Sequence, residues 1–146
     1  MSKLTLELET GTVTIETFED KAPKHVAQIT ELAEDGFYDG LTFHRVIDGF
    51  MAQGGDPKGD GTGGHSENIP AEFNDVSHVE GVCSMARAQD PNSASSQFFI
   101  CLDDASFLDK QYTAWGRVVD GMDAVHQIAK GEPPKDPTKI VKFRKA

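Results

Sequence analysis

Phe43-His44-Arg45-Val46-Ile47-Asp48-Gly49-Phe50-Met51-Ala52-Gln53-Gly54-Gly55-Asp56 holds the end of one apolar run, residues 41–47, and all of another, residues 50–53. Both read as short strands. Upstream, Leu4, Leu6 and Leu8 alternate with Thr5, Glu7 and Glu9, and Val13 and Ile15 alternate with Thr12, Thr14 and Glu16. With Thr10-Gly11 between the two runs, this is a β-hairpin. Residues 22–33 follow with Val26, Ile29 and Ala33 at helical spacing, Pro23 suited to a first turn and Gly36 to a stop. Downstream, residues 54–78 are rich in Gly and Pro and have no period, so they read as a long loop. Residues 81–85 and 97–102 read as buried strands and 113–119 as a further strand, with a second loop at 87–96. Met122, Val125 and Ile128 or Ala129 mark a second helix that closes at Gly131, and Ile140, Val141 and Phe143 make a last strand. About eight short strands and two helices contain too few helices for repeated βαβ units. They predict a mainly β fold, a closed eight-stranded antiparallel barrel whose strands have no free edge and whose ends two helices can plug.

The 146 residues form one domain, 1–146, by the usual length prior. Asp and Glu number 24 against 14 Lys and Arg, for a formal charge of −10. A nonspecific nucleic-acid binder needs the opposite sign, and so does a protein held to an anionic membrane surface. No stretch approaches the roughly 20 apolar residues of a membrane helix. The first residues alternate polar and apolar, unlike a secretory signal. Cys83 and Cys101 sit in apolar runs with no CxxC pair, and read as reduced core thiols of a cytoplasmic protein. Nothing in the pattern suggests anything but a monomer.

Several motifs are absent. The glycine-rich run 54–64 lacks the GxxxxGK[ST] spacing of a phosphate loop, and Lys58 interrupts an EF-hand pattern. His25, His44, His65, His78 and His126 lack ligand spacing, so neither a metal nor another cofactor is expected. No GxSxG supports a hydrolase, although a triad can be dispersed along a chain. What remains lies beside the two loops. A period of two puts Arg45 on the face of Leu41, Phe43 and Ile47. An arginine there is either structural, with its head in solvent or on a carboxylate, or a functional cationic donor. Met51 shares a face with Gln53, and Phe99 with Gln97. Such pairs suit either a core with amides on backbone, or a cleft for a ligand that is part apolar and part polar.

The segment 43–56 resembles the signature of the cyclophilin peptidyl-prolyl isomerases. Ser84-Met85-Ala86-Arg87-Ala88 and Ser95-Ser96-Gln97-Phe98-Phe99-Ile100 resemble their second block, and Gly61-Thr62-Gly63-Gly64 lies between as the family has it. The resemblance spans essentially the whole chain. It implies the eight-stranded barrel with two helices, and a groove that binds proline-containing peptides and partly folded proteins and speeds Xaa-Pro cis/trans exchange without a cofactor. By position, Arg45 would be the catalytic donor and Gln53 its assistant. Phe50, Met51, Phe99 and Leu108 would form the proline site. Gln97 and the backbone at Ala86 and Arg87 would hold the peptide, and an extended 107–109 segment with Tyr112 would close the rim.

Three positions depart from the best-known eukaryotic members: Arg87 for Asn, Phe107 for Trp and Tyr112 for His. The set resembles compact bacterial members. Loss of the indole N–H at Phe107 implies weakened binding of cyclosporin. An alternative on the same fold is a proline-peptide-binding or chaperone-like module with little turnover.

Overall fold

The computed structural model describes residues 2–65 and 67–146, so Met1 and Ser66 of the first long loop lie outside it. The strands are β1 (Lys3–Leu8), β2 (Gly11–Thr17), β3 (Phe43–Ile47), β4 (Met51–Gly54), β5 (Val82–Met85), β6 (Phe98–Cys101), β7 (Ala114–Asp120) and β8 (Ile140–Lys145). They form one antiparallel sheet in the order β3-β4-β6-β5-β7-β2-β1-β8. The sheet curls until the segments flanking its end strands meet. Thr42 bridges Lys139 and Val46 bridges Gly131, and the Ile140 N–H donates to the Leu41 carbonyl at 2.8 Å. This is the eight-stranded barrel the patterning predicts, closed by isolated bridges beside its end strands rather than by a ladder between them.

Alternation decides what goes inside. In β1 the three leucines point into the barrel and Lys3, Thr5 and Glu7 point out. Phe98 sits among Tyr38, Phe43, Trp115 and Phe143, edge-on to Tyr38 at 5.5 Å and to Trp115 at 6.0 Å. The helix α1 (Pro23–Glu34) has Pro23 in its first turn and lays Val26, Ile29, Leu32 and Ala33 on one end of the barrel. It stops as expected. Gly36 takes φ +79°, and its N–H and that of Phe37 donate to the carbonyls of Ala33 and Leu32.

Two sequence expectations need correction. The second helix, α2 (Met122–His126), ends short of Ile128. The Ile128 N–H donates three residues back to Val125, and the Ala129 N–H turns away to the Thr138 hydroxyl at 3.0 Å. Ile128 is therefore core without being helical. The larger correction concerns Arg45. Phe43 pairs with Gly54 while Arg45 pairs with Gln53, so His44 is an extra residue, a β-bulge in β3. The bulge shifts the phase by one. Phe43 and Val46 are both core, and Arg45 and Ile47 face outward instead of sharing the side of Phe43.

Cys83 and Cys101 are buried free thiols, and burial pushes the Cys101 thiol up to about 12. Tyr38 ties the second loop to the core, its hydroxyl donating to the Ser96 carbonyl at 2.8 Å in a fully enclosed site. Removing that donor strands a buried carbonyl, which costs about 1–3 kcal/mol. Tyr38→Phe is expected to lower the unfolding free energy by that amount, read as a lower urea midpoint at unchanged m-value, and an unshifted midpoint would show the bond to be dispensable.

Candidate active site

The outer face of β3, β4, β5 and β6 carries a second, smaller apolar cluster of Met51, Val82, Phe99, Cys101, Ala105 and Ala114. Over it opens a cavity of about 140 Å³. Met51, Phe99 and Leu108 give it apolar walls, Phe50 and Tyr112 give it aromatic sides, and Arg45 enters from β3. Beyond a waist formed by Gln53, Ala86 and Arg87 lies a second cavity of about 270 Å³, lined by loop residues 61–63 and by Ser93, Ser95 and Gln97. The two long loops thus meet at one groove.

Polar contacts set the shape of the waist. The Gln53 amide donates to Gln97 Oε1 at 3.0 Å, and Gln97 Nε2 donates to the carbonyls of Gly63 at 2.7 Å and Gly61 at 3.1 Å. Behind that loop lies Asp56, almost wholly buried, which accepts N–H groups from Lys58, Asp60 and Gly61. Burial alone would push its carboxyl up. The backbone donors of Lys58, Gly63, Gly61 and Asp60 outweigh it and hold the group below the usual carboxylate range.

Phe99 is backed as closely. Tyr112 meets it edge-on at 5.8 Å and the His78 ring stacks behind it at 6.2 Å. His78 Nδ1 faces Asp109 Oδ1 at 3.0 Å and Nε2 faces the Ser84 hydroxyl at 2.8 Å. Serine, histidine and aspartate in a row have the connectivity of a hydrolase triad. Here Ser84 is wholly buried and lines neither cavity, so its hydroxyl meets no substrate. Burial keeps the His78 ring below its ordinary value and neutral, which lets Asp109 accept from Nδ1–H and Ser84 donate to Nε2. The row props up Phe99.

Arg45 Nε donates to Glu132 Oε1 at 2.9 Å, with both side chains about half exposed at 46% and 55%. The carboxylate comes from the turn beside the Val46–Gly131 bridge. One of the five guanidinium hydrogens is thereby used, and the four on the Nη atoms have no hydrogen-bond partner among the described residues.

A family model described as cyclophilin type peptidyl-prolyl cis-trans isomerase/CLD matches residues 3–145. The chain belongs to this family. It is an enzyme, a cyclophilin-type peptidyl-prolyl cis-trans isomerase. A probable peptidyl-prolyl cis-trans isomerase of Brucella abortus (strain 2308) is 51% identical over 154 aligned positions, covering 94% of this chain and 79% of that one. A peptidyl-prolyl cis-trans isomerase of Synechococcus elongatus is 50% identical over 120 positions, 82% of each chain. Among solved structures, a Cryptosporidium parvum cyclophilin type isomerase, crystallised in the presence of the dipeptide Ala-Pro, superposes with a TM-score of 0.92 at 29% identity over 99% of this chain and 98% of that one.

In this cyclophilin-type chain, Arg45, Gln53, Phe50, Met51, Phe99, Leu108, Tyr112, Ala86 and Arg87 all line the smaller cavity, and Gln97 lines the larger one. Phe107 lines neither. It is 66% exposed, its ring set against Phe50 at 5.5 Å. The segment expected to be extended there is a single 3₁₀ turn, Ser106–Leu108, closed by the Leu108 N–H on the Ala105 carbonyl. Asp56, the Ser84–His78–Asp109 row and Glu132 were missed by sequence reasoning. Apart from His78 and Ser84, which are six residues apart, their partners are far away in the chain or are backbone, and no local spacing marks them. No helix among the described residues is long and apolar enough to cross a membrane.

Burial holds three histidines, His25, His44 and His78, below their ordinary value. The unfolded chain takes up protons at about pH 6.5 where the folded one resists. Their contribution is therefore present above that pH and lost as pH falls below it. The urea midpoint should be flat from about pH 8 to 7 and fall steadily from about 6.5 to 5; a flat profile across that lower range would contradict neutral buried imidazoles.

Proposed function

We propose that the smaller cavity receives the proline ring of an Xaa-Pro segment and that Arg45 is the catalytic donor. The observation that carries this reading is that a guanidinium and an apolar wall of Phe50, Met51, Phe99 and Leu108 share one cavity of about 140 Å³. Amide resonance sets a rotational barrier of about 18–20 kcal/mol, so an unaided Xaa-Pro bond exchanges over tens to hundreds of seconds. In the twisted transition state the resonance is lost and the prolyl nitrogen becomes pyramidal and basic. A site speeds the exchange by binding that form better than either planar form.

The chemistry of the lining residues fits this task. The apolar wall grips the ring while the preceding carbonyl turns. The free Nη hydrogens of Arg45 donate to the prolyl nitrogen or to the rotating oxygen, and a charge-assisted bond is about twice as strong as a neutral one. Gln53, fixed by Gln97, supplies a neutral amide at the waist, and the Ala86–Arg87 backbone lies alongside for the peptide chain. The reaction needs no covalent intermediate. Its substrates are proline-containing peptides and partly folded proteins that expose them. Reduced buried thiols suit a cytoplasmic protein acting as a monomer.

The binding-module reading rests on the Arg45–Glu132 pair, which offsets the arginine's charge in the free protein. Kinetics on an Xaa-Pro tetrapeptide separate the two. Arg45→Ala is expected to lower kcat/KM by about 10²–10³ with little change in peptide affinity. Near-normal kcat/KM in that variant would remove Arg45 from the chemistry, and binding without turnover by the wild type would leave only the module.

Cyclosporin is expected to inhibit weakly because position 107 carries no indole donor. Phe107→Trp restores a donor at the rim beside Phe50 and should tighten inhibition, read as a lower inhibitor concentration at half activity. Equal inhibition of both proteins would show that position 107 does not set sensitivity.

A further inference from the structure

The groove differs in charge from the rest of the molecule. The chain carries 24 acidic and 14 basic side chains. No carboxylate lines either cavity, yet two arginines do. Their electrostatic situations differ. Arg45 has Glu132 at 2.9 Å. Arg87 forms no ion pair within 4.0 Å among the described residues.

The Arg87 guanidinium is nevertheless held in place. Its Nη1 donates to the carbonyls of Ala88 at 2.9 Å and Gln89 at 3.3 Å, and its Nη2 to the Gln111 carbonyl at 2.7 Å. Its Cζ lies 4.6 Å over the Tyr112 ring. Neutral carbonyls and an aromatic face orient a cation without cancelling its charge. Arg87 is also common to both cavities, at the waist a peptide must cross to occupy them together. A fixed, unpaired cation in an otherwise acidic protein calls for an anion from outside.

We infer that Arg87 selects substrates with an aspartate or glutamate beside the Xaa-Pro element, its guanidinium at the waist taking the place in an ion pair that no carboxylate of this chain fills. The inference rests on the proposed proline site and names its preferred substrate class. Two charge effects compete. The net charge of −10 repels an acidic peptide at long range, while Arg87 attracts it on contact. At about 0.15 M salt the screening length is about 8 Å, so the contact effect prevails. Partly exposed ion pairs support differences of about two- to five-fold.

The test uses two series of short peptides with Glu, Gln or Lys as the flanking residue, placed before Xaa-Pro in one series and after it in the other. At about 0.15 M salt, kcat/KM in one series should rank Glu over Gln over Lys by about two- to five-fold per step. The ranking should collapse in Arg87→Gln and survive in Arg87→Lys, which keeps the charge. It should also shrink in the wild type at about 1 M salt, where screening reaches about 3 Å. Equal rates in both series, or a ranking that persists in Arg87→Gln, would overturn the inference. If no peptide is turned over, the isomerase reading fails separately. Dissociation constants of the same labelled peptides then decide Arg87 by the same ranking.

Discussion

Phe98 and Phe99 are neighbours in the chain and lie on opposite faces of β6. The first ring is wholly enclosed among Tyr38, Phe43, Trp115 and Phe143, and the second is a wall of the groove. Successive side chains of a strand must point to opposite sides, so anchoring one ring in the core aims the other at the groove. The same constraint runs through β4, where Ala52 faces inward and Met51 and Gln53 outward, and through β5, where Cys83 and Met85 face inward and Ser84 outward. The site is the outer half of a pattern whose inner half is the core. Its rigidity comes from that of the barrel.

That dependence explains what the sequence reveals. The hairpin of β1 and β2, the start and stop of α1, and the two-sided character of β4 and β6 all follow from local alternation, spacing or a single glycine, and the structure has them where the patterning puts them. The bulge at His44 is different. Nothing in Phe43-His44-Arg45-Val46 marks an extra residue, and a strict period of two therefore assigns Arg45 to the wrong face. The early end of α2 is likewise set by Thr138, a partner met only in three dimensions.

The supports of the site share that property. Asp56 orders its loop through backbone N–H groups, which every residue but proline possesses, so no side-chain motif betrays it. His78 meets Ser84 and Asp109 because β5 and the 106–108 turn bring them together behind Phe99. The two segments that resemble one family contain most of the residues that line the cavities, whereas the residues that hold them from behind meet only in the folded chain. Phe107, which the resemblance puts at the rim, lines neither cavity and lies with its ring against Phe50, which does.

The closure of the sheet by the Thr42–Lys139 bridge beside β3 and β8, and by the Val46–Gly131 bridge from β3 to the turn after α2, bears on how the barrel meets other chains. Partly folded clients are rich in extended, unpaired backbone, and such backbone adds readily to the margin of an open sheet. A helper with a long open margin would risk co-aggregating with its clients. Where the segments flanking the two end strands bond to each other, that mode of capture is blunted, and what the outer face offers instead is side chains in a shallow groove. Contacts of that kind leave no ladder of backbone bonds to unzip on release.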